Sequence, residues 1–234
     1  MTERAKEIIG ARIELLAPAG DRDCAVAALR YGADAVYLGL RQFSARADAA
    51  NFDENGLSEI IAFAHARDPR GKVYVAFNTL VLEREWTTAL ETLSRLEELG
   101  VDAVIVQDLG VARRVRASFP GLRLLASTQA AVHSVEGARA MARLGFAGVL
   151  LARELSIAEI AEVARQGGVP VEAFVHGALC YSYSGLCLFS SHTTGRSGNR
   201  GRCASCCREP FRDANGESFP FSLKDLALGA RLDD

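Results

Sequence analysis

No apolar run in this 234-residue chain approaches the roughly 18 residues needed to span a membrane. The charged start, Met1–Arg12, has no apolar core of a secretory signal. The expected location is therefore the cytoplasm, where structural disulfides are disfavoured. No Gly-x-Gly-x-x-Gly turn follows the first predicted strand, which counts against a dinucleotide-binding domain. Gly-x-Ser-x-Gly and His-Glu-x-x-His are also missing, which removes the two commonest local signatures of serine and zinc hydrolases. The net charge of −2 gives no global signature of nucleic-acid binding. What remains is an ordinary core-forming composition, 49% hydrophobic and 24% charged.

A weak internal repeat organises the first two thirds. Leu29-Arg-Tyr-Gly32-Ala-Asp34-Ala-Val36-Tyr-Leu38 resembles Leu96-Glu-Glu-Leu-Gly100-Val-Asp102-Ala-Val104-Ile-Val106, and Leu144–Leu151 is a looser copy. Each copy reads as a helix end, a glycine stop and a short buried strand. The pattern predicts strands at Ile13–Ala17, Ala35–Leu38, Val73–Phe77, Ala103–Val106, Leu122–Ala126, Gly148–Leu151 and Val171–Val175. It predicts helices at Asp23–Tyr31, Gly56–Ala66, Trp86–Leu99, Val135–Leu144 and Ile157–Gln166, with Ser134 and Ser156 as N-caps of the last two. Such alternation makes an α/β protein with a parallel sheet. Polar residues recur just after the strands: Asn78, Gln107-Asp108, Ser127-Thr128-Gln129, Arg153-Glu154 and His176. That recurrence favours a TIM-like (β/α) barrel with its site at the C-terminal strand ends. Seven strands are counted where eight close a barrel, and Phe221–Leu232 reads as the entry to another helix. The expectation is a single barrel domain over 1–234, truncated after the seventh strand.

Five of the six cysteines lie within residues 180–207, spaced Cys180-x6-Cys187-x15-Cys203-x3-Cys207 with Cys206 beside the last. A scattered cysteine is a small hydrophobe, but a cluster needs chemistry. Zinc sites favour pairs two to four residues apart, which only the second pair satisfies. An iron–sulfur cluster tolerates long loops between its thiolates. Glycines 177, 185, 195, 198 and 201 let backbone fold tightly around a compact group. A catalytic thiolate, with Cys180 four residues after His176, would leave the other cysteines unexplained. Spacing alone ranks iron–sulfur first, zinc second and nucleophile third. Tyr181, Tyr183, Leu186, Leu188 and Phe189 are expected to shield the site. Arg196, Arg200, Arg202, Arg208 and Arg212 surround it, with only Glu209 and Asp213 opposing, and offer either a solvated loop or an RNA phosphate surface. Residues 177–213 thus read as a cysteine- and arginine-rich insertion at the barrel mouth.

The stretch Glu172–Ser190, with Cys180-Tyr-Ser-Tyr-Ser-Gly-Leu-Cys187 at its centre, resembles the signature of the collagenase-like peptidase U-32 family. Gly195–Arg208 resembles that family's second cysteine segment. Leu15–Gly20, Gly32–Gly39, Phe43-Ser-Ala-Arg46, Asn78-Thr79, Gln107-Asp108, Ala126–Gln129 and Leu151–Leu155 agree as well, so the resemblance spans nearly the whole chain. It implies a 4Fe–4S cluster on Cys180, Cys187, Cys203 and Cys207, with Cys206 as the alternative fourth ligand and zinc as the alternative metal. It also implies hydroxylation of an RNA base in rRNA or tRNA, with prephenate as a co-substrate of the RNA branch. Other members serve quinone hydroxylation, and the family name records protease activity.

On that reading His176 is the candidate acid/base, or a strand-end histidine held by backbone. Arg46, Arg153 and Glu154 are candidates to bind an anionic co-substrate, with an Arg153–Glu154 salt bridge as the plainer role. Gln129 and Asn78 either hydrogen-bond a flat base or hold loops. Arg196, Arg200, Arg202 and Arg208 are the candidate RNA contacts. A cysteine peptidase and a non-catalytic barrel acting beside a partner protein are the competing functions.

Overall fold

The computed structural model describes residues 13–47, 49–177 and 180–220. Seven parallel strands follow one another across one sheet in chain order and curl into a TIM-like barrel wall. They are β1 (Leu16–Ala19), β2 (Ala35–Gly39), β3 (Lys72–Phe77), β4 (Ala103–Val106), β5 (Leu124–Ala126), β6 (Gly148–Leu150) and β7 (Val171–Glu172). The connecting helices are α1 (Arg22–Arg30), α2 (Glu54–His65), α3 (Trp86–Leu99), α4 (Leu109–Ser118), α5 (Val135–Arg143) and α6 (Ile157–Gln166). Beyond the sheet lie a short helix α7 (Phe189–Thr194) and a hairpin of β8 (Pro210–Arg212) and β9 (Ser218–Pro220). The segment from Phe221, expected to enter a helix, lies outside the described residues.

Local chemistry explains where the helices begin. Asp21, Asp53, Asp108, Ser134 and Ser156 each accept a backbone N–H of the following first turn. Ser156 and Glu159 form the reciprocal capping box. Helix α3 ends on Gly100 at φ 75, the left-handed cap that its glycine allows. Helix α4 has no counterpart among the predicted helices. Gly110 weakens its first turn and its buried stripe is only Val111, Ala112 and Val115. The first strand starts three residues later than predicted, and the seventh ends after Glu172 instead of Val175.

The period of two along each strand divides the core. Val36, Leu38, Val73, Val75, Val104, Val106, Leu124 and Val149 face the helices and form the larger apolar layer. Ala35, Tyr74, Ala103, Ile105, Leu125 and Leu150 face inward and pack together with Leu16 and Tyr37. This inner layer ends in charge. Tyr74 donates its hydroxyl to Glu14 at 2.6 Å, and Lys72 ion-pairs with the same carboxylate. Glu172 sits nearby with a buried oxygen, Oε2, that has no hydrogen-bond partner among the described residues.

Burial, reinforced by the Glu14 charge, lifts the Glu172 carboxyl to about 7; Arg123 and Lys72 oppose this incompletely. The folded chain then holds more protons than the unfolded chain between about pH 4.5 and 7. Stability therefore falls as pH rises through that window. The group accounts for a loss on the order of 3 kcal/mol. Urea denaturation from pH 4.5 to 8 should show this decline in the wild type and a flatter profile in Glu172→Gln. Identical slopes would contradict it.

Candidate functional site

The C-terminal strand ends are covered by two cysteine-bearing loops, each seated on the barrel by a glycine. The first loop, 180–187, docks through Ser184 and Gly185. Ser184 is fully buried; its N–H donates to Glu154 Oε1 at 2.6 Å. The Arg153 backbone N–H and Nε each reach Ser184 Oγ at 3.4 Å. Gly185, at φ 73, lies so close to the β5 turn that a Cβ would fall 2.0 Å from the Gln129 carbonyl oxygen. Glu154 is itself braced by His133, whose Nε2 is 3.5 Å from Oε2. The other ring nitrogen, Nδ1, donates to the Ala131 carbonyl at 2.7 Å.

The second loop docks through residues 198–202 on the opposite side of the mouth. Gly201, at φ 75, would place a Cβ 2.1 Å from the Ser44 carbonyl oxygen. Arg200 ion-pairs through its guanidinium with Glu85 and also donates to the Leu80 carbonyl. Leu80 N–H donates to Asn199 O at 3.1 Å. The Arg200 guanidinium holds the Glu85 carboxyl below the usual carboxylate range. Asn78 holds the neighbouring loop: its Oδ1 accepts Ala45 N–H at 2.8 Å and its N–H donates to Phe43 O at 2.9 Å. Phe43 stacks on Phe77 at 4.6 Å beneath.

The two loops bring the thiols together unequally. Burial pushes the Cys207 thiol up, and the charges of Cys180, Cys203 and Cys187 add to the effect while Arg208 opposes it. Cys180, Cys187 and Cys203 thus lie within electrostatic reach of Cys207. Cys206 has hydroxyl neighbours of its own: its Sγ accepts the Thr193 hydroxyl at 3.2 Å and lies 4.0 Å from Ser190 Oγ. Ser190, buried on α7, accepts Ala204 N–H at 3.0 Å and points its own hydrogen at Cys203 Sγ, 3.7 Å away. Ser205 N–H also reaches Cys203 Sγ at 3.4 Å. All six cysteines are free thiols. Among the described residues, no three His, Cys, Asp or Glu side chains converge as a single metal ion requires.

The structure places Cys180, Cys187 and Cys203 near enough to Cys207 to influence its thiol electrostatically. It gives Asn78, Glu154 and Arg153 loop-holding partners, and it commits Arg200 to an ion pair. Glu154 and Arg153 meet through Ser184, and among the described residues they form no salt bridge with each other. His176 is exposed and makes no hydrogen bond among the described residues. Gln129 contributes its backbone to the Gly185 contact. Of the residues read as a shield, Tyr183, Leu186 and Leu188 are 66%, 65% and 67% exposed, while Phe189 is half-buried and stacks on Phe211 at 6.1 Å. Sequence reading missed His133, Glu85, Ser184, Ser190 and Thr193. The last three had no signal beyond being hydroxyls near cysteines. Gln107 keeps a buried Oε1 without a partner at the end of β4.

The model of peptidase family U32 matches residues 20–234. The chain belongs to peptidase family U32. One U32 relative, a 23S rRNA 5-hydroxycytidine synthase of Escherichia coli (strain K12), is 39% identical over 95% of this chain and 35% of its own length. Another, the tRNA hydroxylation protein P1 of Bacillus subtilis (strain 168), is 34% identical over 95% of this chain and 56% of its own. The chain therefore spans about a third to a half of these relatives. A solved U32 peptidase superposes with a TM-score of 0.60 at 18% identity, covering 72% of this chain and 71% of its own, and shares the fold. No helix among the described residues is long and apolar enough to cross a membrane.

Proposed function

We propose that this U32 chain carries the barrel of an RNA-base hydroxylase whose four thiols hold an iron–sulfur cluster. The observation that carries the reading is the shared neighbourhood of Cys180, Cys187, Cys203 and Cys207 at the C-terminal mouth. The donor set fits a cluster better than zinc. Zinc sites favour pairs two to four residues apart, which among these four only Cys203 and Cys207 satisfy. A cubane instead gives each thiolate its own iron and tolerates wider separation. The RNA assignment is supported by the two relatives named for hydroxylation of rRNA and tRNA.

When bound, the cluster would supply electron transfer or activation of the oxygen-bearing substrate. The chain's own residues do the positioning. Glu154 and Arg153 fix Ser184, and with it the loop from Cys180 to Cys187. Ser190 and the Ser205 N–H supply hydrogen bonds to Cys203, which stabilise negative charge on sulfur. His176 is available for proton transfer from its exposed place beside the mouth, and prephenate is the proposed co-substrate.

Modified-nucleoside analysis of rRNA and tRNA from a strain lacking the gene tests this. A hydroxylated pyrimidine should disappear, and return on complementation. Unchanged nucleosides with lost gelatin cleavage would replace the reading with a peptidase.

A further inference from the structure

Arg46, in the segment after β2, and Arg202, in the second cysteine loop, are antiparallel bridge partners. The flanking bond, Ala47 N–H to Gly201 O at 3.2 Å, marks theirs as the non-hydrogen-bonded kind of pair. In that arrangement the α-carbons approach to about 4.5 Å and the side chains stand closest. Like charges placed so are destabilising. The segments cannot separate to relieve the repulsion, because Gly201 is packed onto Ser44 and Arg200 is locked to Glu85.

Arg200, between its neighbours, has a carboxylate. Arg46 and Arg202 have none among the described residues. Their surroundings are also known. Arg46 acts on the phenol of Tyr37, an inner-layer residue, partly offsetting the effect of burial there. Arg202 immediately precedes Cys203. The pair therefore bridges the barrel interior and the thiol site.

We propose that Arg46 and Arg202 form a two-arginine oxyanion site, taking a phosphate or a carboxylate between them at the edge of the thiol centre. Two guanidiniums with planar donor forks suit an oxyanion, which would also cancel their repulsion. The anion has two sources: a backbone phosphate of a nucleic acid or the carboxylate of a small co-substrate. The site does not depend on cluster chemistry or on hydroxylation, so it can be tested separately from both.

The experiment uses the full chain and three probes: inorganic phosphate, malonate and a single-stranded RNA oligomer. Arg46→Gln and Arg202→Gln should each weaken binding of the preferred anion by roughly tenfold or more, the size of one lost charge-assisted contact. Arg143→Gln, an exposed arginine at the C-terminal end of α5, should leave it unchanged. Arg202→Lys keeps the charge and should retain most of the binding. A phosphate source is indicated if RNA affinity also falls and its log–log salt slope drops by about 0.7 per lost contact. A carboxylate source is indicated if malonate binding falls and RNA binding does not. Without anion, Arg202→Gln should melt no lower than the wild type, and only the wild type should be stabilised by the preferred anion. Equal affinity and equal thermal response of wild type and the double glutamine variant to both phosphate and malonate would overturn the site.

Discussion

Cys207→Ser should abolish the visible chromophore and most bound iron of the proposed cluster, whereas Cys206→Ser should keep both. The two cysteines are adjacent, so sequence spacing hardly separates them. Their surroundings do. Cys207 is half-buried and feels the charges of Cys180, Cys203 and Cys187. Cys206 is turned toward α7, where the Thr193 hydroxyl meets its sulfur at 3.2 Å. A short six-residue helix thus gives the Cys206 sulfur a hydroxyl partner of its own. Removing one thiolate from a four-thiolate centre leaves one iron without its protein ligand. Absorption spectra and iron analysis of anaerobically purified variants measure the difference. A colourless Cys206→Ser beside a coloured Cys207→Ser would reverse the assignment.

Gly201→Ala and Gly185→Ala should release the cysteine loops from the barrel without unfolding it. Each glycine has positive φ, and each would drive a Cβ to about 2 Å from a backbone carbonyl oxygen, that of Ser44 or Gln129. No side-chain rotation relieves a clash with backbone. Backbone strain adds to it, giving a combined cost of roughly 2–4 kcal/mol for the docked state. Gly195→Ala is the control, because it has φ 70 and open space around its Cβ. It should show strain alone, about 1 kcal/mol. Hydrogen exchange is the direct readout. Protection should fall across 180–187 in Gly185→Ala and across 198–208 in Gly201→Ala, with β3 and β4 unaffected. Protection retained in both loops would show that the glycines are not the anchors.

The barrel was legible because its strands are short, apolar and regularly punctuated. Val73–Phe77 and Ala103–Val106 read correctly because they are covered on both faces. The caps at Ser134 and Ser156 were legible because serine before a helical stripe has a local mechanism. Helix α4 was not, since Gly110 and an arginine-rich sequence hide its narrow buried stripe. The hairpin of β8 and β9 was overlooked although Asn215-Gly216 signals its turn, with Gly216 at φ 84.

At the site, residue identity was legible and residue employment was not. Asn78, Arg153, Glu154 and Arg200 stood out as polar or charged groups near the mouth. Their partners lie far along the chain: Ala45, Ser184, and Glu85 at a separation of 115 residues. Long-range pairings of this kind leave no periodic trace. The exposed Tyr183, Leu186 and Leu188 show the converse error, in which apolar character was read as burial.

The most direct measurement is iron, acid-labile sulfide and zinc content, with the absorption spectrum, on the full chain purified without oxygen. The thiol neighbourhood at the barrel mouth predicts a brown protein with iron and sulfide in equal amounts, both lost together in Cys180→Ser. A colourless protein carrying one zinc per chain would contradict it.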